Sequence, residues 1–151
     1  MSNAILKRLQ REYNDLIESG EYEISLETDK LIDPWIAVIN GPKSSPYEGG
    51  KFKLKIQYSN DYPFNPPEVT FLTKIYHPNI SKNGTICIDI LKDNWTPNLR
   101  IYSVLTSIIS LLTDANPASP LETEIAELYV DDNKTYIKNA IEMTKKYAMN
   151  K

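Results

Sequence analysis

The chain of 151 residues carries one thiol and one imidazole, Cys87 and His77, ten positions apart. A solitary cysteine cannot form an internal disulfide, in keeping with a reducing compartment, and one His with one Cys falls short of the ligand sets that hold zinc. No metal is expected. Cys87 is then either a buried structural thiol, since cysteine is among the residues most often sealed in a core, or a lone nucleophile. As a nucleophile it has two chemistries open to it. A hydrolase needs a histidine base, itself oriented by Asn or Asp, to make the thiolate that attacks a carbonyl. His77 and Asn79 could be drafted, but they sit almost side by side on a loop containing Pro78, where a short side chain can hardly aim its neighbour's ring at a third group. An acyl carrier asks less. Exchange of an already activated thioester between two thiols is nearly balanced in energy, and a free thiol of pKa about 8.5 already offers a few per cent of thiolate at neutral pH. No basic residue stands immediately beside Cys87 in the sequence, which suits the carrier better than the hydrolase.

The elements that must position this pair are legible from periodicity. From Ala4 to Glu18, apolar Ile5, Leu6, Leu9, Tyr13, Leu16 and Ile17 recur at helical spacing, with Ser2 or Asn3 placed to cap the first turn and Gly20 to end the helix. The period then changes to two. Tyr22, Ile24 and Leu26, the short run Trp35 to Ile39, then Phe52, Leu54, Ile56 and Tyr58, and finally Val69 and Phe71 predict a meander of four strands. Between Ser59 and Arg100, prolines 63, 66, 67, 78 and 97 remove backbone donors and hold the chain extended. So long an irregular stretch inside a small domain usually means function. Helical spacing returns with Val104 to Leu112, Ile125 to Tyr129 and Tyr136 to Met143, and Pro117 and Pro120 separate the first two of these helices. The order predicts an α+β fold with its helices segregated from an antiparallel sheet.

Bulk properties bound the rest. One domain over residues 1–151 is expected, with ordinary composition at 41% apolar and 25% charged residues. No apolar run approaches the ~20 residues of a membrane span, and Met1-Ser2-Asn3-Ala4 does not begin like a signal peptide. A net charge of −3 gives no sign of a nucleic-acid binder. Lys7, Arg8 and Arg11 nevertheless concentrate positive charge on the first helix. They read as a docking surface or as a solvated face paired with Glu12 and Asp15.

The tripeptide His77-Pro78-Asn79 shortly before Cys87 resembles the active-site region of ubiquitin-conjugating enzymes. Tyr62-Pro63-Phe64-Asn65-Pro66-Pro67, Lys74-Ile75-Tyr76, Trp95-Thr96-Pro97 and Lys145-Lys146-Tyr147-Ala148-Met149 extend the likeness over essentially the whole chain. The closest resemblance is to the small single-domain, ubiquitin-loading members that work with many ligases. It implies a monomeric, cytoplasmic protein, with the nucleus also open to it, that takes ubiquitin from an activating enzyme as a thioester on Cys87. A RING, U-box or HECT ligase would then guide the cargo to a substrate lysine or to a ligase cysteine. No cofactor is implied, because ATP is consumed by the activating enzyme, and no phosphate-cradling glycine motif occurs here.

The same likeness distributes roles. His77 holds the loop through backbone hydrogen bonds; Asn79 steadies either the oxyanion or the loop that frames it. Asp89 orients the incoming lysine, although a plain turn-capping carboxylate is the alternative. Ser119 stands at the far lip, where many members carry aspartate. Lys7, Arg8, Arg11, Phe64, Trp95, Pro97 and Asn98 carry docking, with Phe64 and Trp95 read as exposed aromatic loop tips and Asn98 in the place of a common alanine. Ile88, Leu99 and Thr106 match positions that clamp the donor ubiquitin, Thr106 replacing a frequent leucine, and Ser25 lies near the backside ubiquitin site on the sheet. Two alternatives stay open: a different ubiquitin-like cargo, or a non-catalytic ubiquitin-binding scaffold, against which the presence of Cys87 counts.

Overall fold

Leu9, Glu12 and Leu16, spaced three and four residues apart, share the buried face of the first helix, α1 (Asn3–Ser19). Gly20 follows it with φ of +67°, a left-handed conformation that ends a helix at little cost for glycine. The computed structural model describes residues 3–149, so the expected cap at Ser2 lies outside the described residues. Glu12 corrects the expectation of a solvated acidic partner on this helix. It is only 3% exposed.

Four strands follow, β1 (Glu23–Leu26), β2 (Trp35–Asn40), β3 (Lys51–Gln57) and β4 (Glu68–Phe71), paired antiparallel in chain order. This is the expected meander. Register places Trp35 opposite Ile56, Ala37 opposite Leu54 and Ile39 opposite Phe52, then Leu54 opposite Phe71 and Ile56 opposite Val69. Because strand side chains alternate in direction, all eight of these residues face one side and are buried, while Lys51 and Lys53 face out. Each large inward side chain contributes about 1.5–3 kcal/mol through burial. Their common core includes Leu9 and Leu16 of α1 and the apolar face of α2 (Ile101–Thr113), namely Ile101, Val104, Leu105, Ile108 and Leu112. Helices α3 (Thr123–Asp131) and α4 (Asn133–Tyr147) complete the α+β fold. Asp132 caps α4 by accepting from the backbone N–H of Thr135 at 3.3 Å and its hydroxyl at 2.6 Å.

The segment between β4 and α2 holds no long element, only the 3-10 turn Asp89–Leu91 and isolated bridges pairing Thr70 with Thr85, His77 with Ile80 and Ile80 with Ile86. It is stitched to the sheet at Gly84. Phe71 N donates to Gly84 O at 2.9 Å, Gly84 has φ of +88°, and a Cβ there would fall 2.1 Å from Phe71 O. Only glycine lets these two backbones approach so closely.

Candidate active site

A tight turn delivers the cysteine. Ser81 N donates to Thr85 O and Gly84 N to Ser81 O, each at 2.9 Å, folding residues 81–85 back so that Cys87 N reaches Asn79 O at 2.9 Å. The thiol is partly exposed. It lies on a rim and is not sealed in the core.

Beneath it, His77-Pro78-Asn79 works as a scaffold. His77 is fully buried, and its ring bridges two backbone groups: Nδ1 accepts from Asn79 N at 2.9 Å, and Nε2 lies 2.8 Å from Leu111 O, near the C-terminal end of α2. Since a carbonyl can only accept, the ring is the neutral tautomer with its proton on Nε2. Neither nitrogen is left to act as a base toward Cys87, which removes the geometric ground for the hydrolase reading. Pro78 O accepts from both Leu121 N and Glu122 N, at 2.8 and 3.1 Å. Asn79, also fully buried, spends its whole side chain on the loop before α3. Nδ2 donates to Asn116 O at 2.7 Å and to Ser119 O at 3.0 Å, while Oδ1 accepts from Asn116 N at 2.8 Å. One residue thus ties Cys87 through its main chain and the 116–119 loop through its amide.

Burial pushes the His77 pKa down to about 4, because desolvation disfavours the imidazolium. A histidine of ordinary pKa 6.5 in the unfolded chain then binds its proton before the folded one does. Stability from this group is complete above pH 6.5 and is lost as pH falls toward 4, by up to about 3 kcal/mol. Because His77 is the sole histidine, NMR reads it directly. The Nε2-protonated neutral ring should persist down to about pH 4, and a midpoint at the unfolded value would refute this account.

The structure corrects one expectation about the thiol's surroundings. No base adjoins Cys87 in sequence, yet Lys92 Nζ donates to Cys87 Sγ at 3.2 Å. The 3-10 turn reverses the chain, with Lys92 N donating to Asp89 O at 3.0 Å and Leu91 N to Ile88 O at 3.1 Å, so that residues five apart meet. Only a turn of this tightness following the cysteine could have signalled it. Asp89 is exposed and its carboxylate caps nothing: residue 88 takes the N-cap position and has no side-chain capping bond. The Asp89 side chain is left facing solvent. Ser119 is likewise exposed, its carbonyl held by Asn79.

The predicted docking residues divide into two kinds. Phe64 is 78% exposed, and Lys7, Arg11, Pro97 and Asn98 are exposed as well. Trp95 corrects the expectation of a second aromatic tip. It is buried, its Nε1 donates to Pro63 O at 2.8 Å, and its ring packs against Tyr62 at 5.9 Å, so it joins the two loops together. Arg8 is also turned inward. Its guanidinium donates to Pro97 O at 2.6 Å, Leu99 O at 2.7 Å and Glu12 Oε2 at 3.0 Å, and lies 5.2 Å from the Tyr62 ring centroid. Glu12 gathers further donors, the Tyr62 hydroxyl at 2.7 Å and the backbone N–H of Ile101 at 2.8 Å. Periodicity carried a signal for this network, because Glu12 falls on the Leu9–Leu16 stripe. Of the three clamp candidates, Ile88 and Leu99 are half-buried against the core, while exposed Thr106 bonds the Tyr22 hydroxyl at 3.2 Å. Ser25 is exposed on β1.

Among the described residues no group of His, Cys, Asp and Glu side chains could hold a metal ion, and no helix is long and apolar enough to cross a membrane. The sequence profile of the ubiquitin-conjugating enzymes matches residues 8–144. The fold superimposes with a TM-score of 0.91 on the crystal structure of a Plasmodium yoelii protein assigned as a ubiquitin conjugating enzyme, 40% identical over 100% of this chain and 99% of that one. It superimposes with a TM-score of 0.88 on the E2 domain of a Toxoplasma gondii ubiquitin conjugating enzyme, 38% identical over 94% of this chain and 97% of that one. With its rim cysteine, buried His-Pro-Asn scaffold and helix–meander–helix order, the chain belongs to the ubiquitin-conjugating enzyme family.

Proposed function

We propose that Cys87 accepts ubiquitin as a thioester from an activating enzyme and that, with a ligase bound, the cargo passes to a substrate lysine or to a ligase cysteine. The observation that carries this reading is the partly exposed Cys87, whose backbone N–H is held by Asn79 O on a loop braced by the buried side chains of His77 and Asn79. Such a thiol can exchange an activated acyl group without a dedicated base, because thioester exchange moves the group between two sulfurs of similar energy. The second half-reaction is harder. A lysine amine attacks the carbonyl, an oxyanion forms, and the thiolate leaves; the unpaired Asp89 carboxylate is well suited to receive the incoming ammonium. Ligase docking falls to Phe64, Pro97 and Asn98, with Lys7 and Arg11 serving the activating enzyme as well. Arg8 and Trp95 act indirectly, by fixing the spacing of those loops. Ubiquitin is preferred as cargo over its relatives because both solved relatives, 40% and 38% identical, are named for conjugating ubiquitin. ATP is consumed by the activating enzyme, and no cofactor is required of this chain; a monomer in the cytoplasm or nucleus completes the proposal.

The test is a loading assay with activating enzyme, ATP and ubiquitin. A ubiquitin adduct that disappears on reduction is the expected result. No adduct with ubiquitin, but one with another ubiquitin-like protein, would transfer the same chemistry to that cargo, and no adduct with any would leave a scaffold. Asn79→Ala supplies a second test. Freeing the 116–119 loop misplaces the acceptor side of the site, so transfer to lysine should fall ~100-fold while loading continues. Equal loss of both steps would mean that Asn79 serves the fold alone.

A further inference from the structure

We propose that Tyr47 and Tyr136 are positioning residues for the active site: a relay of two phenol hydroxyls ties the backbone just ahead of His77 to the sheet and to α4, and transfer to lysine depends on it. This rests on the thioester reading above and adds residues to it. The Tyr47 hydroxyl donates to Tyr76 O at 2.6 Å and lies 2.6 Å from the Tyr136 hydroxyl. A phenol has one proton to give. With that of Tyr47 spent on the Tyr76 carbonyl, Tyr136 is the donor of the second bond, and the relay runs from Tyr136 to Tyr47 to Tyr76 O. Hydrogen bonds in series polarise and strengthen one another.

The relay starts from fixed points and has a short path to the site. Tyr47 is fully buried, and Gly50 N donates to its carbonyl at 3.0 Å. Its ring meets Phe52 of β3 edge-on at 6.2 Å and lies tilted against His77 at 5.9 Å. Tyr136, 3% exposed on α4, packs edge-on against Tyr129 of α3 at 4.9 Å. Burial raises the pKa of both hydroxyls, that of Tyr136 to about 12, so both protons stay in place at neutral pH. At the far end, Tyr76 O belongs to the residue before His77. Asn79 then holds Cys87 N through its carbonyl and the 116–119 loop through its amide. A carbonyl released at residue 76 lets that scaffold shift, and a displacement of ~1 Å can cost a positioned reaction ~100-fold. Loading asks less, because thiol exchange does not use the 116–119 lip.

The full chain is loaded with ubiquitin by activating enzyme and ATP, the supply is stopped, and discharge to free lysine is timed, alongside thermal unfolding of each variant. Tyr47→Phe should load normally but discharge ~10-fold more slowly per loaded molecule. It should also melt lower, since Tyr136 is left as a buried donor without its acceptor. Tyr136→Phe keeps the bond from Tyr47 to Tyr76 O and should slow discharge by no more than ~3-fold. The double Phe variant separates positioning from a purely structural role. With both hydroxyls gone no donor is orphaned, so it should regain melting temperature over Tyr47→Phe, while discharge stays ~10-fold slow because Tyr76 O still lacks its donor. Discharge that recovers together with stability, a Tyr47→Phe rate equal to that of the unsubstituted protein, or an equal loss of loading would each overturn the inference. An unsubstituted protein that takes no ubiquitin is a different outcome, which fails the thioester reading and this inference with it.

Discussion

Replacing Cys87 by Ala should abolish the ubiquitin adduct, a loss of at least ~10⁴-fold of the kind seen when a covalent nucleophile is removed. No other thiol exists in the chain to substitute for it. Cys87→Ser should behave differently: its weaker nucleophile loads more slowly, but the oxyester it forms survives reductant, since thiols exchange thioesters readily and oxyesters poorly. The pair of results separates chemistry from folding. The residue is held through its main chain, by Cys87 N to Asn79 O, and its side chain is partly exposed with Lys92 as its hydrogen-bond neighbour. Either substitution should therefore change stability by no more than about 0.5 kcal/mol. A reductant-sensitive adduct persisting in Cys87→Ala would end the proposal.

The largest effect on stability is expected at Glu12→Ala. Glu12 is buried on α1 and takes hydrogen bonds from three elements: the Arg8 guanidinium, the Tyr62 hydroxyl and the N–H of Ile101 that opens α2. Removing the carboxylate leaves a half-buried cation and two polar groups without an acceptor. Breaking such a pair costs about 3–5 kcal/mol, more than the pair itself contributes over an apolar replacement. In a domain of this size that lowers the melting temperature on the order of 10 °C. Glu12→Gln, which preserves shape and one acceptor oxygen, should lose less. The consequence reaches function, because Arg8 released from Glu12 no longer holds Pro97 O and Leu99 O in place. Ligase-dependent transfer should therefore suffer more than loading measured at the same folded fraction. A destabilisation under about 1 kcal/mol would show that water replaces the carboxylate.

Much of this molecule was open to inspection without coordinates. The period-two runs at Tyr22–Leu26 and Phe52–Tyr58, the short apolar run Trp35–Ile39 and the pair Val69 and Phe71 mark the four strands of the meander, and the 3.6-residue spacing from Val104 onward marks α2 to α4. These patterns are readable because one-sided burial imposes its own period on each element. The order of His77, Asn79 and Cys87 similarly marked the site. Trp95 was misjudged because an aromatic beside a proline looks alike whether its ring points out or closes against a neighbouring loop. Lys92 went unnoticed because nothing in the letters between 87 and 92 states how tightly they turn.

By itself, then, the sequence determined the class of fold, the identity of the one thiol, and the exclusion of an internal disulfide, since all of these follow from composition and local period. Tertiary structure alone decided that His77 is a neutral strut with both nitrogens spent on backbone, that Asn79 gives its amide to the loop before α3, and that Arg8 faces inward. Leu111, Asn116, Ser119, Pro97 and Leu99 lie 34 to 91 positions from the side chains they meet. Which donor meets which acceptor across such separations is set by how the helices and loops close over the sheet.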